Sequence, residues 1–294
     1  MSSTERPPIL IVGATGRTGS AVVEELLNAD VTIRTLARRA DAGVTMPAGI
    51  EVVTGDLAEP ASLAPALRGV DTVFLVWTAP PATAPAVIER LAAQVRRVVF
   101  LSAPHQTPHP FFQQPNPMAA LYADIEQRIT SSGLEWTFIR PGMLASNALH
   151  WWAPTIRTGG AIRWPYAAAE TAPIDDHDVA AVTATSLYEE GHAGGDYVLT
   201  GSEALSQAEQ VRIIGDVLGR QIPFEEVAPD EFRKETEGSW PQPVVDMLLD
   251  AWGATIGTPA HVTTAVADIL GRPARSFRQW VASNATAFTE GPET

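Results

Sequence analysis

Short runs of apolar and β-branched residues recur along the chain: "PILIV" from Pro8, "VTIRTLA" from Val31, "IEVVTGD" from Ile50, "DTVFLVW" from Asp71, "RRVVFLSA" from Arg96 and "EWTFIRPG" from Glu135. Between them the apolar positions change period. "SAVVEELLNA", "PASLAPALRG" and "APAVIERLAAQ" place them three and four apart, the spacing of one helix face. Strands alternating with helices predict a parallel sheet covered on both faces and joined by right-handed crossovers. The expected fold is therefore α/β, a doubly wound Rossmann-type sheet of six strands with a seventh near "GDYVLTG" from Gly195.

Beyond about residue 142 the rhythm is different. "NALHWWAPTIRTGGAIRWPY" carries paired tryptophans, and "SQAEQVRIIGDVLG", "PQPVVDMLLDAWGA" and "SFRQWVASNATAF" have helical spacing. This divides the chain into a doubly wound core over 1–142 and a mixed, mostly helical lobe over 143–294, with a further core strand near 195–201. Nothing around Pro173, Pro223 or Pro273 reads as a flexible linker, so the lobe is expected to pack on the sheet rather than stand as an independent domain. Residues 228–257 read as two helices about a Gly-Ser break, a pattern that suits a lid and a structural hairpin equally. "APIDDHDVAAV" reads as a capped helix start, with Asp175 or Asp178 at the cap, and the tail "EGPET" is expected to fray.

Composition narrows the function. A chain of 294 residues with 45% hydrophobic content suits one large α/β domain or two modest ones. No secretory leader precedes the first strand pattern, and no stretch approaches the roughly 20 apolar residues of a membrane helix, so the cytoplasm is the expected compartment. The absence of cysteine excludes disulfides and thiolate chemistry. A net charge of −14, from 20 Lys+Arg against 34 Asp+Glu, opposes nucleic-acid binding. His105, His109, His150, His177, His192 and His261 never form a ligand spacing such as HxxxH, so no metal site is expected. A monomer is compatible with all of this.

"ILIVGATGRTGSAVVEELL" sets Gly13, Gly16 and Gly19 directly after the first strand and at the opening of the first helix. A pyrophosphate needs a tight turn, a close backbone and the free N–H groups of a helix start, and this pattern supplies all three. Thr15, Arg17 and Thr18 share the loop. Past the second strand, where an acid would hold the ribose of NAD, stand Arg38 and Arg39, with no acid before Asp41. A guanidinium there matches the 2′-phosphate of NADP, so NADP(H) is the expected cofactor and Arg38 its expected ligand. Ligands lie at the carboxyl ends of parallel strands. That rule adds Asp56 and Leu57, then Val76, Trp77 and Thr78, then Ser102 and Ala103, then Pro141 and Gly142. Asp56 reads equally well as a helix cap.

"GATGRTG", "TLARR", "GDL" and "SGLEWTFIRPG" followed by Asn147 together resemble the NmrA-like group of atypical short-chain dehydrogenase/reductases over residues 8 to about 200. The resemblance implies a Rossmann core, an NADP preference, and either reduction of quinones, ketones or imines or a redox-sensing role without catalysis. It also exposes a departure. Relatives commonly carry Tyr-xxx-Lys ahead of a glutamate, and alignment through Glu126 puts Tyr122 at the lysine place and Met118 at the tyrosine place. Ser102 falls one or two places early for the usual serine.

Reduction of a carbonyl needs a hydride and a proton. A positioned general acid is worth about 10²- to 10⁴-fold, whereas near-attack placement is worth roughly 7 to 11 kcal/mol, so a reductase without the triad is physically sound. Its proton then comes from water, from Tyr122, or from a phenolic substrate. An aromatic ketone or quinone, of the kind found among polyketides, is the expected substrate, held by His105, Met118, Tyr122, Asn147, Trp151 and Trp240. The alternatives are a non-enzymatic NADP(H) sensor acting on a protein partner, and an isomerase or epimerase that retains its nicotinamide.

Overall fold

The computed structural model describes residues 7–39 and 46–290, so Asp41 and the last four residues of the tail lie outside it. The strands in chain order are β1 (Ile9–Val12), β2 (Ile33–Ala37), β3 (Glu51–Thr54), β4 (Thr72–Leu75), β5 (Arg97–Leu101), β6 (Glu135–Pro141), β7 (Ile162–Trp164), β8 (Glu170–Thr171), β9 (Gly195–Leu199), β10 (Leu205–Ser206) and β11 (Phe224–Glu226). Seven of them form one sheet in the order β3-β2-β1-β4-β5-β6-β9. The six strands read from the apolar runs and the seventh at Gly195 are all in it. β1 through β6 pair in parallel, and at the edge Gly194 bonds Trp136 and Gly142 bonds Leu199, so β9 advances with β6.

The reversal falls at β1, which lies between β2 and β4. A doubly wound sheet opens a crevice at that point, beyond the carboxyl ends of its strands. β1 and β4 are buried at every position, because helices cover both faces of a parallel sheet. Helix Arg17–Leu27 buries Val22, Val23 and Leu26 and packs against helix Asp176–Tyr188. The latter begins at Asp176, directly after Asp175, so Asp178, the other aspartate read as its cap, lies inside its first turn instead.

Two units carry the chain. The first comprises Met1–Ala103, Pro117–Arg140 and Asp176–Tyr197, and the second Pro104–Asn116, Pro141–Asp175 and Val198–Thr294. The first has its core around Val73, Leu75, Val98 and Phe100. In the second, two short sheets, β7 with β11 and β8 with β10, accompany the helices. Helix Gln207–Leu218 starts on a capping box from Ser206, and helix Phe277–Ser283 on one from Ser276; each satisfies backbone N–H groups that a helix start leaves open. The two helices read about the Gly-Ser break are Pro229–Glu235 and Gln242–Ala254.

The tryptophans decide the second core. Trp164 stands at its centre, with ring centroids 5.7 Å from Trp151, 5.8 Å from Trp152, 5.5 Å from Trp252 and 4.8 Å from Phe232. Its indole N–H donates to Gln207 Oε1 at 2.5 Å, and the Gln207 amide donates to the carbonyls of Pro165 and Tyr166 at 3.1 Å each. A buried indole needs such a partner, and a buried glutamine is free to provide it. Trp152, Trp164 and Trp252 are buried, while Trp151 and Trp240 are half-buried.

Candidate functional site

In the first unit an open groove runs along the strand ends, lined by Gly13, Thr15, Gly16, Leu36, Ala37, Arg38, Arg39, Gly55, Asp56, Leu57, Val76 and Thr78. Its floor is glycine for steric reasons. Gly13 has φ +85°, and a Cβ there would stand 2.9 Å from Val76 Cβ; a Cβ on Gly19 would stand 2.1 Å from the Gly13 carbonyl oxygen. The turn closes with Gly16 N–H donating to that same oxygen at 3.0 Å. Gly16 caps helix Arg17–Leu27 in an extended conformation, so the first turn, which holds Arg17, Thr18 and Gly19, opens at the groove and offers its unsatisfied N–H groups.

At the other end of the groove Arg38 and Arg39 are both exposed, two cations on a chain of net charge −14. Asp56 is not the helix cap it was read as, because the helical turn that follows, Pro60–Leu63, has Glu59 at its cap position. Asp56 lines the groove while its Oδ1 accepts from Ala58 N–H at 2.8 Å, a local turn bond that holds the carboxyl in place. A dinucleotide phosphate fits these walls: backbone N–H groups for a pyrophosphate, a cradle that any Cβ would fill, and guanidinium groups for a ribose phosphate. Trp77 is turned the other way, buried in the core with its indole N–H donating to Ala79 O at 2.7 Å.

The helix Pro117–Ser131 carries the departure from the usual triad. Met118, Tyr122 and Glu126 follow at intervals of four and share one face. Met118 is exposed, Tyr122 half-buried and Glu126 buried. Tyr122 meets Phe100 edge-on with centroids 5.9 Å apart, and burial pushes its phenol above the usual value. The phenol therefore stays protonated and is a poorer acid than a free tyrosine. The sequence holds a single lysine, Lys234, on a helix of the second unit. The first unit thus has no lysine to pair with any tyrosine.

Glu126 has partners that sequence reading missed. It accepts from the Ser102 hydroxyl through Oε1 and from Arg140 Nη2 at 3.0 Å through Oε2. Arg140 also donates to Ala103 O at 3.1 Å and to Asp196 Oδ1 at 2.5 Å. The available signal was Arg140 itself, an arginine in the middle of the apolar strand "WTFIRP", since a buried guanidinium requires acceptors.

The other candidates lie in the second unit. Pro141 ends β6 and Gly142 follows it, its N–H donating to Leu199 O at 2.8 Å. Asn147 donates to Met143 Sδ at 2.9 Å, and His105 is half-buried. Trp151 and Trp240 line one side of an open groove with His150, Arg163 and Phe232. A separate small pocket is bordered by Phe112, Gly142, Met143, Thr200 and His261. Burial, aided by His109, holds the His261 imidazole below its usual value, so it is neutral at pH 7. Among the described residues no group of His, Asp and Glu is arranged to hold a metal, and no helix is long and apolar enough to cross a membrane.

Comparison with known proteins gives a consistent result. Residues 13–190 match the family model described as NAD(P)H-binding. The chain is 38% identical over 286 residues to (4-alkanoyl-5-oxo-2,5-dihydrofuran-3-yl)methyl phosphate reductase of Streptomyces griseus, covering 95% of this chain and 99% of that protein. It is 31% identical to the NAD(P)H azoreductase of Xenophilus azovorans, covering 95% of this chain and 99% of that one. The crystal structure of an NADPH-dependent quinone oxidoreductase from Escherichia coli superposes with a TM-score of 0.80 at 25% identity, covering 94% of this chain and 98% of that one. With its glycine loop, its arginine pair and these matches along nearly its whole length, the chain belongs to the NAD(P)H-binding family, in the NmrA-like branch of atypical short-chain reductases, and is an NAD(P)H-dependent oxidoreductase.

Proposed function

We propose that the protein is an NADPH-dependent reductase of a small, hydrophobic, conjugated carbonyl compound, a quinone or an aromatic ketone of polyketide type, and that it works without a tyrosine-lysine acid. The observation that carries this is the helix face Met118–Tyr122–Glu126, where the phenol is held protonated and no lysine stands. NADPH supplies two electrons and one hydrogen as hydride. The second hydrogen arrives as a proton from water or from a phenol on the acceptor itself. Conjugation matters here because it spreads the negative charge that reduction leaves, and a spread charge needs no strong positioned acid.

The named acceptors of the relatives support this class. An (alkanoyl-oxo-dihydrofuranyl)methyl phosphate, an azo compound and a quinone all contain conjugated, electron-poor π systems, the first of them carrying an anionic phosphate as well. Arg38 is the ligand for the 2′-phosphate, with Gly13, Thr15, Gly16, Thr18 and Gly19 at the pyrophosphate and Asp56 toward the adenine. On this reading residues 1–142 bind the cofactor and 143–294 the acceptor, whose contacts are His105, Asn147, Trp151 and Trp240 together with Met118 and Tyr122, and the reaction belongs to the cytoplasm. The test is NADPH consumption against a panel of quinones, hydroxyaryl ketones and acyl-substituted unsaturated lactones. Turnover with at least one class is the expected result; tight NADPH binding with no turnover on any of them overturns the proposal.

A further inference from the structure

Two histidines meet at the small pocket of the second unit, their ring centroids 6.0 Å apart, and their nitrogens are used differently. His109 is fully engaged. Its Nε2 stands 2.9 Å from the Pro259 carbonyl, which can only accept, so Nε2 carries the hydrogen and Nδ1 accepts from Phe111 N–H at 3.3 Å. This ring fastens chain to chain. His261 is half-buried and borders the same pocket, and its ring nitrogens have no hydrogen-bond partner among the described residues. A neutral imidazole keeps one N–H to give and one lone pair to share.

Glu170 borders the pocket as well. Its Oε2 accepts from Ala260 N–H at 3.2 Å, while its Oε1 has no partner among the described residues. Thr200, beside them, is already spent: its hydroxyl donates to Gly201 O at 3.0 Å and accepts from Thr263 N–H at 2.9 Å. The pocket also has a telling place. β6 ends at Pro141 and β9 at Leu199, and the next residue of each, Gly142 and Thr200, lines it. Carboxyl ends of strands are where an α/β sheet presents its ligands.

Size and charge define what fits. There is room for about one water-sized group, so the pocket takes a single substituent of a ligand rather than a ring. Among the described residues lining it there is no arginine or lysine, and a carboxylate without a cation repels an anionic oxygen. A carbonyl oxygen would accept from His261 but face Glu170 with lone pair against lone pair. A hydroxyl satisfies both, because it accepts from an imidazole N–H while donating to a carboxylate.

We propose that this pocket is a socket for one uncharged hydroxyl of the acceptor, a phenol on an aromatic ketone or quinone, held between the His261 imidazole and Glu170 Oε1. The assignment rests on the aromatic-acceptor reading above and deepens it with two binding residues which that reading does not include. It predicts discrimination by a hydroxyl.

The experiment measures the affinity of the full chain loaded with NADP⁺, which has no hydride to give, for 1-tetralone, its ring-hydroxylated isomers and the matching fluoro compounds. The native protein is expected to bind at least one hydroxytetralone about tenfold more tightly than the fluoro compound or the parent, the size of one hydrogen bond. His261→Phe keeps a ring beside Phe112 and should abolish that preference by weakening the hydroxytetralone alone, with 1-tetralone and NADPH bound as before. Glu170→Leu, which removes the accepting oxygen, should abolish it too. A purely structural role would lower all the tetralones together. Should His261→Phe not fold, Glu170→Leu and the native comparison still decide.

A native protein that binds hydroxy, fluoro and parent compounds alike overturns the assignment. So does a preference that survives either substitution, or an equal loss for every tetralone. If no tetralone binds the loaded protein, the aromatic-acceptor reading falls and the socket with it. If tetralones bind and NADPH reduces them without regard to the hydroxyl, only the socket falls.

Discussion

In the first unit the groove has a glycine floor, with Gly13, Gly16 and Gly55 along it and the opening turn of helix Arg17–Leu27 at one side; in the second unit the open groove holds no glycine and is lined by side chains such as Trp151, Trp240, His150 and Phe232. Backbone walls are set by which residues permit the path, and the permitting residue is glycine, so the sequence shows them directly. Side-chain walls depend on how each ring is packed. Eight tryptophans in the sequence say that large aromatic surface must be buried, but not which rings face the interior.

The largest effect expected from breaking this contrast is on the second unit's core. Trp252→Ala empties a site that is 1% exposed and packed on Trp151, Trp164 and Phe232, and should cost about 3 to 5 kcal/mol in denaturant unfolding. The protein that remains folded should bind NADPH with unchanged affinity. Gly19→Ala does the reverse. Its Cβ would stand 2.1 Å from the Gly13 carbonyl, so the loop must move, and NADPH affinity should fall on the order of a hundredfold while the tryptophan fluorescence of the second core is retained.

Arg38→Ala sharpens the same contrast within the groove. Its guanidinium is exposed, and loss of a charge-assisted bond should weaken NADPH about tenfold or more with little change for NADH. Equal losses for the two cofactors would remove Arg38 from the phosphate site.

Tyr122→Phe is expected to leave turnover within about tenfold, whereas a general acid would be worth about 10²- to 10⁴-fold. The pH dependence follows from the same burial. The folded phenol ionises above its ordinary value, so below about pH 10 it is protonated both folded and unfolded and adds no slope. Stability should drop only as pH rises past the point where the unfolded chain's tyrosine ionises, and Tyr122→Phe should flatten that part of the curve.

The smallest effect is expected at Arg163, which reaches Glu225, Glu231 and Glu235 on the surface of the second unit. Solvent screens these pairs. Arg163→Ala should shift Tm by no more than a degree or two, roughly, with the shift fading as salt is raised. The buried Glu126–Arg140 pair has the same chemistry in another setting, and removal of one partner there leaves a charge stranded.

Legibility followed the same division. The strands, their alternation with helices and the tight glycine turn after β1 were all readable, because period and glycine placement act locally. The helix face of Met118, Tyr122 and Glu126 was readable as a spacing, and it showed that the usual acid was absent. The buried polar cluster around Glu126 was not readable. Ser102, Glu126, Arg140 and Asp196 stand far apart in the chain, and the strand that carries Arg140 looked like ordinary core. His261, which borders the small cavity of the second unit, read only as one of six scattered histidines.

From the order of its residues alone, this chain is committed to a doubly wound sheet, a tight glycine turn after β1, an arginine pair after β2 and a helix without a catalytic lysine. Each of these is a property of a few neighbouring residues: a period, a glycine without a Cβ, a charge at a strand end. Tertiary packing decided which tryptophans are core, that Asp56 both lines the groove and fastens its own turn, and that the hydrogen of Ser102 belongs to Glu126. Those outcomes depend on distances between residues remote in sequence and on burial, which makes an unpaired charge or a stray hydroxyl too costly to leave unmatched.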